Sequence, residues 1–275
     1  MAKIATFYDH MVDIARQESL SVVEALKLAR EMGIEAVEAS GNNIVGREDE
    51  FGQEIAMADL GISSIPSFFH FDEDQDVEKQ AAPILEAAQF LGADRLLVIP
   101  GFWAEGDSPQ VREEKTQQMI RCVARLGELA PRYGVSLVME DFDSQLSPIA
   151  TAEGLLRFLE GCPGLSCAFD TGNFRYAGQD VLEAYTLLRG RVGHVHLKDR
   201  AYTQSNGENP KTAVDGTDLY PAPVGSGDLP LDQVMARLRQ DGYNGIYTIE
   251  HYDSNRTLDY LRRSVEWVRS EERRV

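Results

Sequence analysis

The sequence predicts an α/β fold, a (β/α)8 barrel built as a single domain from residues 1–275. Short runs rich in Val, Ile and Leu alternate with amphipathic stretches along the whole chain, the order that parallel strands joined by helical crossovers require. Eight such runs in 275 residues fit a closed barrel. The alternative is an open doubly wound sheet, but no glycine-rich phosphate turn follows the first run, which reads Phe7-Tyr8-Asp9-His10.

The first run is Ile4-Ala5-Thr6-Phe7. Most of the others follow a helical stretch that ends near Gly, a residue favoured after a helix because it accepts φ > 0. Met32-Gly33-Ile34 leads to Ala36-Val37-Glu38, and Leu60-Gly61-Ile62 to Ser64-Ile65-Pro66. Leu91-Gly92-Ala93 leads to Leu96–Ile99, and Tyr133-Gly134-Val135 to Leu137–Glu140. Gly164-Leu165 leads to Ala168-Phe169-Asp170, Val192-Gly193 to His194-Val195-His196, and Gly242-Tyr243 to Ile246–Ile249. Between the runs, apolar residues recur at spacings of three and four, as in Val22, Val23, Leu26 and Ala29, or Leu231, Val234, Met235 and Leu238. Pro83 falls inside the third helical stretch and is expected to kink or delay it. Ala201–Asp228, with seven Gly or Pro residues, is read as a long loop over the barrel mouth that covers the substrate and sets specificity.

Charge narrows the partners. With 45 acidic and 27 basic residues the net charge is −18, which disfavours a nucleic-acid backbone and an anionic membrane surface. No apolar run approaches the roughly 18 residues needed to span a bilayer. The opening Met1-Ala2-Lys3-Ile4 lacks the pattern of a signal peptide. Cys122, Cys162 and Cys167 show no metal spacing and read as reduced thiols of a cytoplasmic protein. The expected partner is a small-molecule substrate, and a homo-oligomer is compatible with the sequence.

In such a barrel the chemistry lies at the C-terminal ends of the strands. Four consecutive runs end in acid or imidazole: Glu140-Asp141, Asp170-Thr171-Gly172-Asn173, His194 through Asp199, and Glu250-His251. Three carboxylates and one imidazole make an oxygen-rich site that suits one Mn²⁺, Mg²⁺ or Co²⁺ better than Zn²⁺. Side chains alternate along a strand, so His194 and His196 both face inward and either could bind metal, while Val195 and Leu197 face the helices. Glu38, His70, Trp103, Asn173, His194, Lys198 and Arg200 are candidate substrate contacts. His10 falls at the tip of the first strand or in the next loop.

The motifs DTGN (170–173), HVHLKD (194–199) and IEH (249–251) resemble the xylose-isomerase-like TIM-barrel superfamily of sugar and sugar-phosphate isomerases and epimerases. The resemblance covers essentially the whole chain and is strongest from Val135 to His251. It implies that Glu140, Asp170, His196 and Glu250 hold one divalent metal, with His196 rather than His194 as the ligand. It also implies that Glu140 and Glu250 exchange protons with a carbohydrate substrate through a metal-stabilised enediolate. The same chemistry could expel a β-hydroxyl, as in the superfamily's inosose dehydratases. A non-catalytic partner subunit is the third reading, disfavoured by the complete ligand set. Two positions depart from the ketose 3-epimerase pattern. Asn173 stands where many of those enzymes carry His, and Tyr202 where they carry a substrate Arg, with Arg200 two residues earlier.

Overall fold

A computed structural model describes residues 3–273; Met1 and Ala2, the start of the leader reading, lie outside them. Ten strands occur among these residues: β1 Lys3–Phe7, β2 Ala36–Glu38, β3 Gly61–Phe68, β4 Arg95–Ile99, β5 Ser136–Met139, β6 Leu165–Asp170, β7 Val192–Ala201, β8 Lys211–Thr212, β9 Asp218–Ala222 and β10 Ile246–Glu250. β1 to β7 and β10 pair in parallel and in sequence order, and β10 pairs with both β7 and β1, which closes an eight-stranded barrel. Helices separate the barrel strands, so the fold is the expected single-domain (β/α)8 barrel. No helix among the described residues is long and apolar enough to cross a membrane.

Strand alternation divides the side chains into two sets. Leu96, Val98, Leu137, Met139, Phe169, Val195, Leu197 and Ile249 face the helices and join a continuous outer core. Leu97, Ile99, Val138 and Ala168 point the other way and pack against one another inside the barrel. The same parity carries Glu38, Glu140, Asp170, His194, His196, Lys198 and Glu250 inward. Register then sets their heights: Asp170 pairs with His196, Thr248 with His196, and Glu250 with Lys198.

Local details depart from the sequence reading in three places. Gly92 and Gly134 cap helices with φ of +69° and +75°, but Gly61 and Gly193 lie within β3 and β7. At Gly193 the need is space, since a Cβ there would sit 2.7 Å from that of Ser166. The helix Val77–Leu91 runs through Pro83 without interruption. Pro83 and Lys79 lie on its exposed face, so the carbonyl that loses its amide partner is open to water. Finally, Ala201–Asp228 is no plain loop. β7 continues to Ala201 and pairs antiparallel with β9, which pairs with β8. Asp199 fastens the end of this excursion by accepting hydrogen bonds from the Gly225 and Gly227 amides, both at 2.9 Å.

Candidate metal centre and cavity

Glu140, Asp170, His196 and Glu250 converge at the C-terminal end of the barrel, each offering a donor atom within 4.8 Å of the others. His196 is central. Its Nδ1 lies 2.8 Å from Glu140 Oε2 and 3.5 Å from Glu250 Oε2. Its Nε2 lies 3.2 Å from Glu38 Oε1. Flanked by carboxylates on both ring nitrogens, His196 can donate from each; a bound cation would take the place of the Nδ1 proton while Nε2 keeps its bond to Glu38. Asp170 is held differently: Oδ1 accepts from the Gly172 and Asn173 amides at 2.7 and 2.6 Å. Asp170 Oδ2 is buried with no hydrogen-bond partner.

The charges are expensive to bury together. Burial pushes the Glu140 carboxyl up, and pushes Asp170 up to about 7. Burial also acts on Glu250, but the neighbouring Lys198 ammonium and His196 overcome it and hold that carboxyl far below its ordinary range. His196 is pulled down by burial, yet Glu38 and Glu140 on its two sides hold it well above an ordinary histidine. A dication fits this set: it would give the orphaned Asp170 oxygen a partner and offset the crowded carboxylates. The donors are mostly hard oxygens with one imidazole, the preference of Mg²⁺ or Mn²⁺.

Beside the cluster opens a cavity of about 350 Å³, whose lining includes Glu140 and Glu250 but not Asp170 or His196. The cavity has two kinds of wall. Phe7, Phe68, Phe142 and Tyr252 supply aromatic surface, and Asp143, Asn173, Lys198, Arg200 and Lys211 supply polar groups. Lys198 Nζ is fixed between Glu250 Oε1 at 2.6 Å and Asn173 Oδ1 at 2.7 Å. Asn173 in turn donates to the Asp141 carbonyl at 2.9 Å.

Of the candidate substrate contacts, Asn173, Lys198 and Arg200 line the cavity and four others do not. Glu38 and His194 are buried below it, linked at 2.6 Å, because the barrel interior is filled by side chains at that level. Thr248 also donates to Glu38. His70 is exposed outside the cavity. Trp103 is turned to the outside: its indole donates to Arg112 O and Thr116 Oγ1, and the Arg112 guanidinium lies 5.0 Å from the ring centre. The sequence reading missed Phe7, Phe68, Phe142, Asp143, Lys211 and Tyr252 as cavity residues. Phe142, Asp143 and Tyr252 sit one or two residues beyond the strand tips it singled out, so reading slightly further would have found them. No local signal marks Lys211.

His10 lies in the helix Tyr8–Glu18, not at a strand tip. Its ring stacks on His251 at 5.0 Å, and its Nε2 accepts from the His251 amide at 3.0 Å. Burial lowers His10 to about 4 and lowers His251 as well. Both rings are therefore neutral when folded but protonate in the unfolded chain below its ordinary value of 6.5. Their stabilising contribution is complete above pH 6.5 and falls away as pH drops toward about 4. For His10 alone the loss is about 3 kcal/mol. Urea unfolding of His10→Gln should show a shallower decline in stability between pH 7 and pH 4 than the parent. An identical decline would mean His10 is not the titrating group.

Residues 26–271 match the xylose isomerase-like TIM barrel family, and the chain belongs to it. Inosose dehydratase of Mesomycoplasma hyopneumoniae is 24% identical over 175 residues, a stretch covering 60% of this chain and 57% of that relative. The chain thus spans little more than half the length of that curated relative. The fold is also that of 3-keto-D-glucoside 4-epimerase from E. coli, with a TM-score of 0.70, 20% identity, and coverage of 98% of this chain and 100% of that one. A xylose isomerase-like TIM barrel protein from Mycobacterium smegmatis in complex with magnesium superposes with a TM-score of 0.66, at 20% identity, covering 90% of this chain and 87% of that one.

Proposed function

We propose that this protein is a divalent-metal-dependent isomerase or epimerase acting on a carbohydrate, by proton transfer at the carbon next to a carbonyl. The observation that carries the reading is the division of the ligand set. Glu140 and Glu250 border the cavity, whereas Asp170 and His196 are enclosed behind them. Glu140, Asp170, His196 and Glu250 would hold the metal, and the magnesium complex of the Mycobacterium smegmatis relative supports a hard divalent ion such as Mg²⁺ or Mn²⁺. Bound there, the cation would polarise a substrate carbonyl and acidify the neighbouring C–H bond.

Glu140 and Glu250 border the cavity from neighbouring parts of the ligand set, and each would bind the ion through one oxygen and turn the other to the substrate as acid or base. Proton removal by one and return by the other at the same carbon inverts that centre. Return at the adjacent carbon interconverts aldose and ketose. The aromatic wall excludes water and packs against the C–H face of a sugar ring, while Asn173 meets a hydroxyl group. Three buried free thiols, Cys122, Cys162 and Cys167, support a reducing, cytoplasmic setting.

A dehydratase is the second reading, favoured by Lys198 and the inosose dehydratase relative. The ammonium, hydrogen-bonded to Glu250, could protonate a departing β-hydroxyl. Proton–deuterium exchange with Mn²⁺ present, screened over ketoses, keto-polyols and their phosphates, tests both. Exchange is expected at the carbon beside the carbonyl, with an epimer or positional isomer as product. An enone product would favour dehydration, and no exchange with any member of the panel would remove the proton-transfer reading.

A further inference from the structure

The chain carries a net charge of −18, yet three cations meet on one side of the cavity. Asp143 lies 2.7 Å from Lys211 Nζ, 3.3 Å from Arg200 Nη2 and 3.8 Å from Lys198 Nζ. Lys198 also pairs with Glu250. Glu140 and Asp253 also line the cavity, but the three cations converge on Asp143, which they share at 2.7–3.8 Å, so none has a carboxylate of its own there except Lys198. Arg200 is 5% exposed, and its Nε is buried with no hydrogen-bond partner. A buried guanidinium donor without an acceptor costs free energy that an incoming anion would recover. Arg200 is held in place by the β7–β9 ladder, opposite Pro221. Lys211 is steadied by the Tyr176 ring, 5.2 Å from its ammonium.

We propose that Lys198, Arg200 and Lys211 form an anion subsite next to the metal centre, so that the substrate is an acidic keto-sugar carrying a phosphate or carboxylate. This rests on the proton-transfer reading of Glu140 and Glu250. The planar guanidinium fork suits the paired oxygens of either group, and the two lysines add unforked charge. Asp143 keeps the three cations together and competes with the arriving anion for them. That competition gives a signature that simple structural damage does not: opposite effects from neighbouring substitutions.

The test uses full-length protein loaded with Mn²⁺ and three probes: a ketopentose phosphate, a keto-hexonate and the uncharged ketopentose. Each is measured by α-proton exchange and by calorimetric binding. The parent should favour one of the acidic probes over the neutral one by about 10- to 100-fold, the scale of one or two charge-assisted hydrogen bonds. Preference for the phosphate or for the hexonate tells the two sources apart. Arg200→Gln and Lys211→Met should each cut the acidic-to-neutral ratio by about tenfold or more, and Asp143→Asn should raise it. A parent that prefers the neutral ketose, or ratios unmoved in all three variants, overturns the subsite. Charge-selective binding without exchange on any probe leaves the subsite standing and removes the proton-transfer reading instead.

Discussion

Glu140→Gln and Glu250→Gln should each lower turnover by at least about 10²–10⁴-fold, the usual scale of general acid–base catalysis. Gln keeps the shape and one oxygen that can face a metal, but it cannot carry the proton. Both variants should therefore retain measurable Mn²⁺ binding, which separates loss of proton transfer from loss of the metal. If the two serve opposite faces, the variant that keeps the abstracting carboxylate should still exchange the α-proton with solvent more readily than it completes the reaction. Two Gln variants that bind metal normally and turn over within about tenfold of the parent would disprove the two-carboxylate mechanism.

His196→Ala should abolish stoichiometric Mn²⁺ binding, read by calorimetry or by paramagnetic relaxation of water protons. It removes the imidazole whose Nδ1 faces both glutamates, at 2.8 and 3.5 Å. His194→Ala should leave binding detectable, because that ring bonds Glu38 at 2.6 Å and packs edge-on against His196 at 5.2 Å without being one of the four convergent donors. Glu38→Gln should weaken binding by about 10- to 100-fold, the range for a group that orients a ligand without touching the ion. Binding lost in His194→Ala and kept in His196→Ala would reverse the roles of the two histidines.

The barrel was legible because its signal is periodic. Runs such as Leu96–Ile99 and His194–His196 are β-branched or apolar on one parity and stand between helical patterns, and the fold needs little else. The four convergent groups were legible for the same reason: strand parity and strand ends place Glu140, Asp170, His196 and Glu250 with no knowledge of tertiary detail. What the sequence hides is depth. Glu38 and His194 share the inward parity of Glu140 and His196, but register puts them beneath the cavity, and register depends on partner strands. Trp103 shows a second limit. An aromatic residue just after a strand can turn either way, and here the helix Pro109–Leu129 offers its indole N–H an acceptor on the outside. Lys211 shows a third, because only the antiparallel pairing of β8 with β9 brings it to the cavity.

That pairing has an implication for how specificity can change. Lys211 is delivered to the cavity from a ladder in which it stands opposite Leu219 and Thr212 stands opposite Asp218. Side chains on such a ladder alternate faces, so a slip of one residue turns each of them over. Deleting a single residue from the turn at 213–217 would therefore withdraw Lys211 from the cavity and present a neighbour instead, with no change to any barrel strand. Indels in this hairpin offer the lineage a way to exchange one recognition group for another while the proton-transfer groups stay where the barrel holds them. A collection of relatives with hairpins of different length should accordingly differ first in which substrates they accept, and only later in what they do to them.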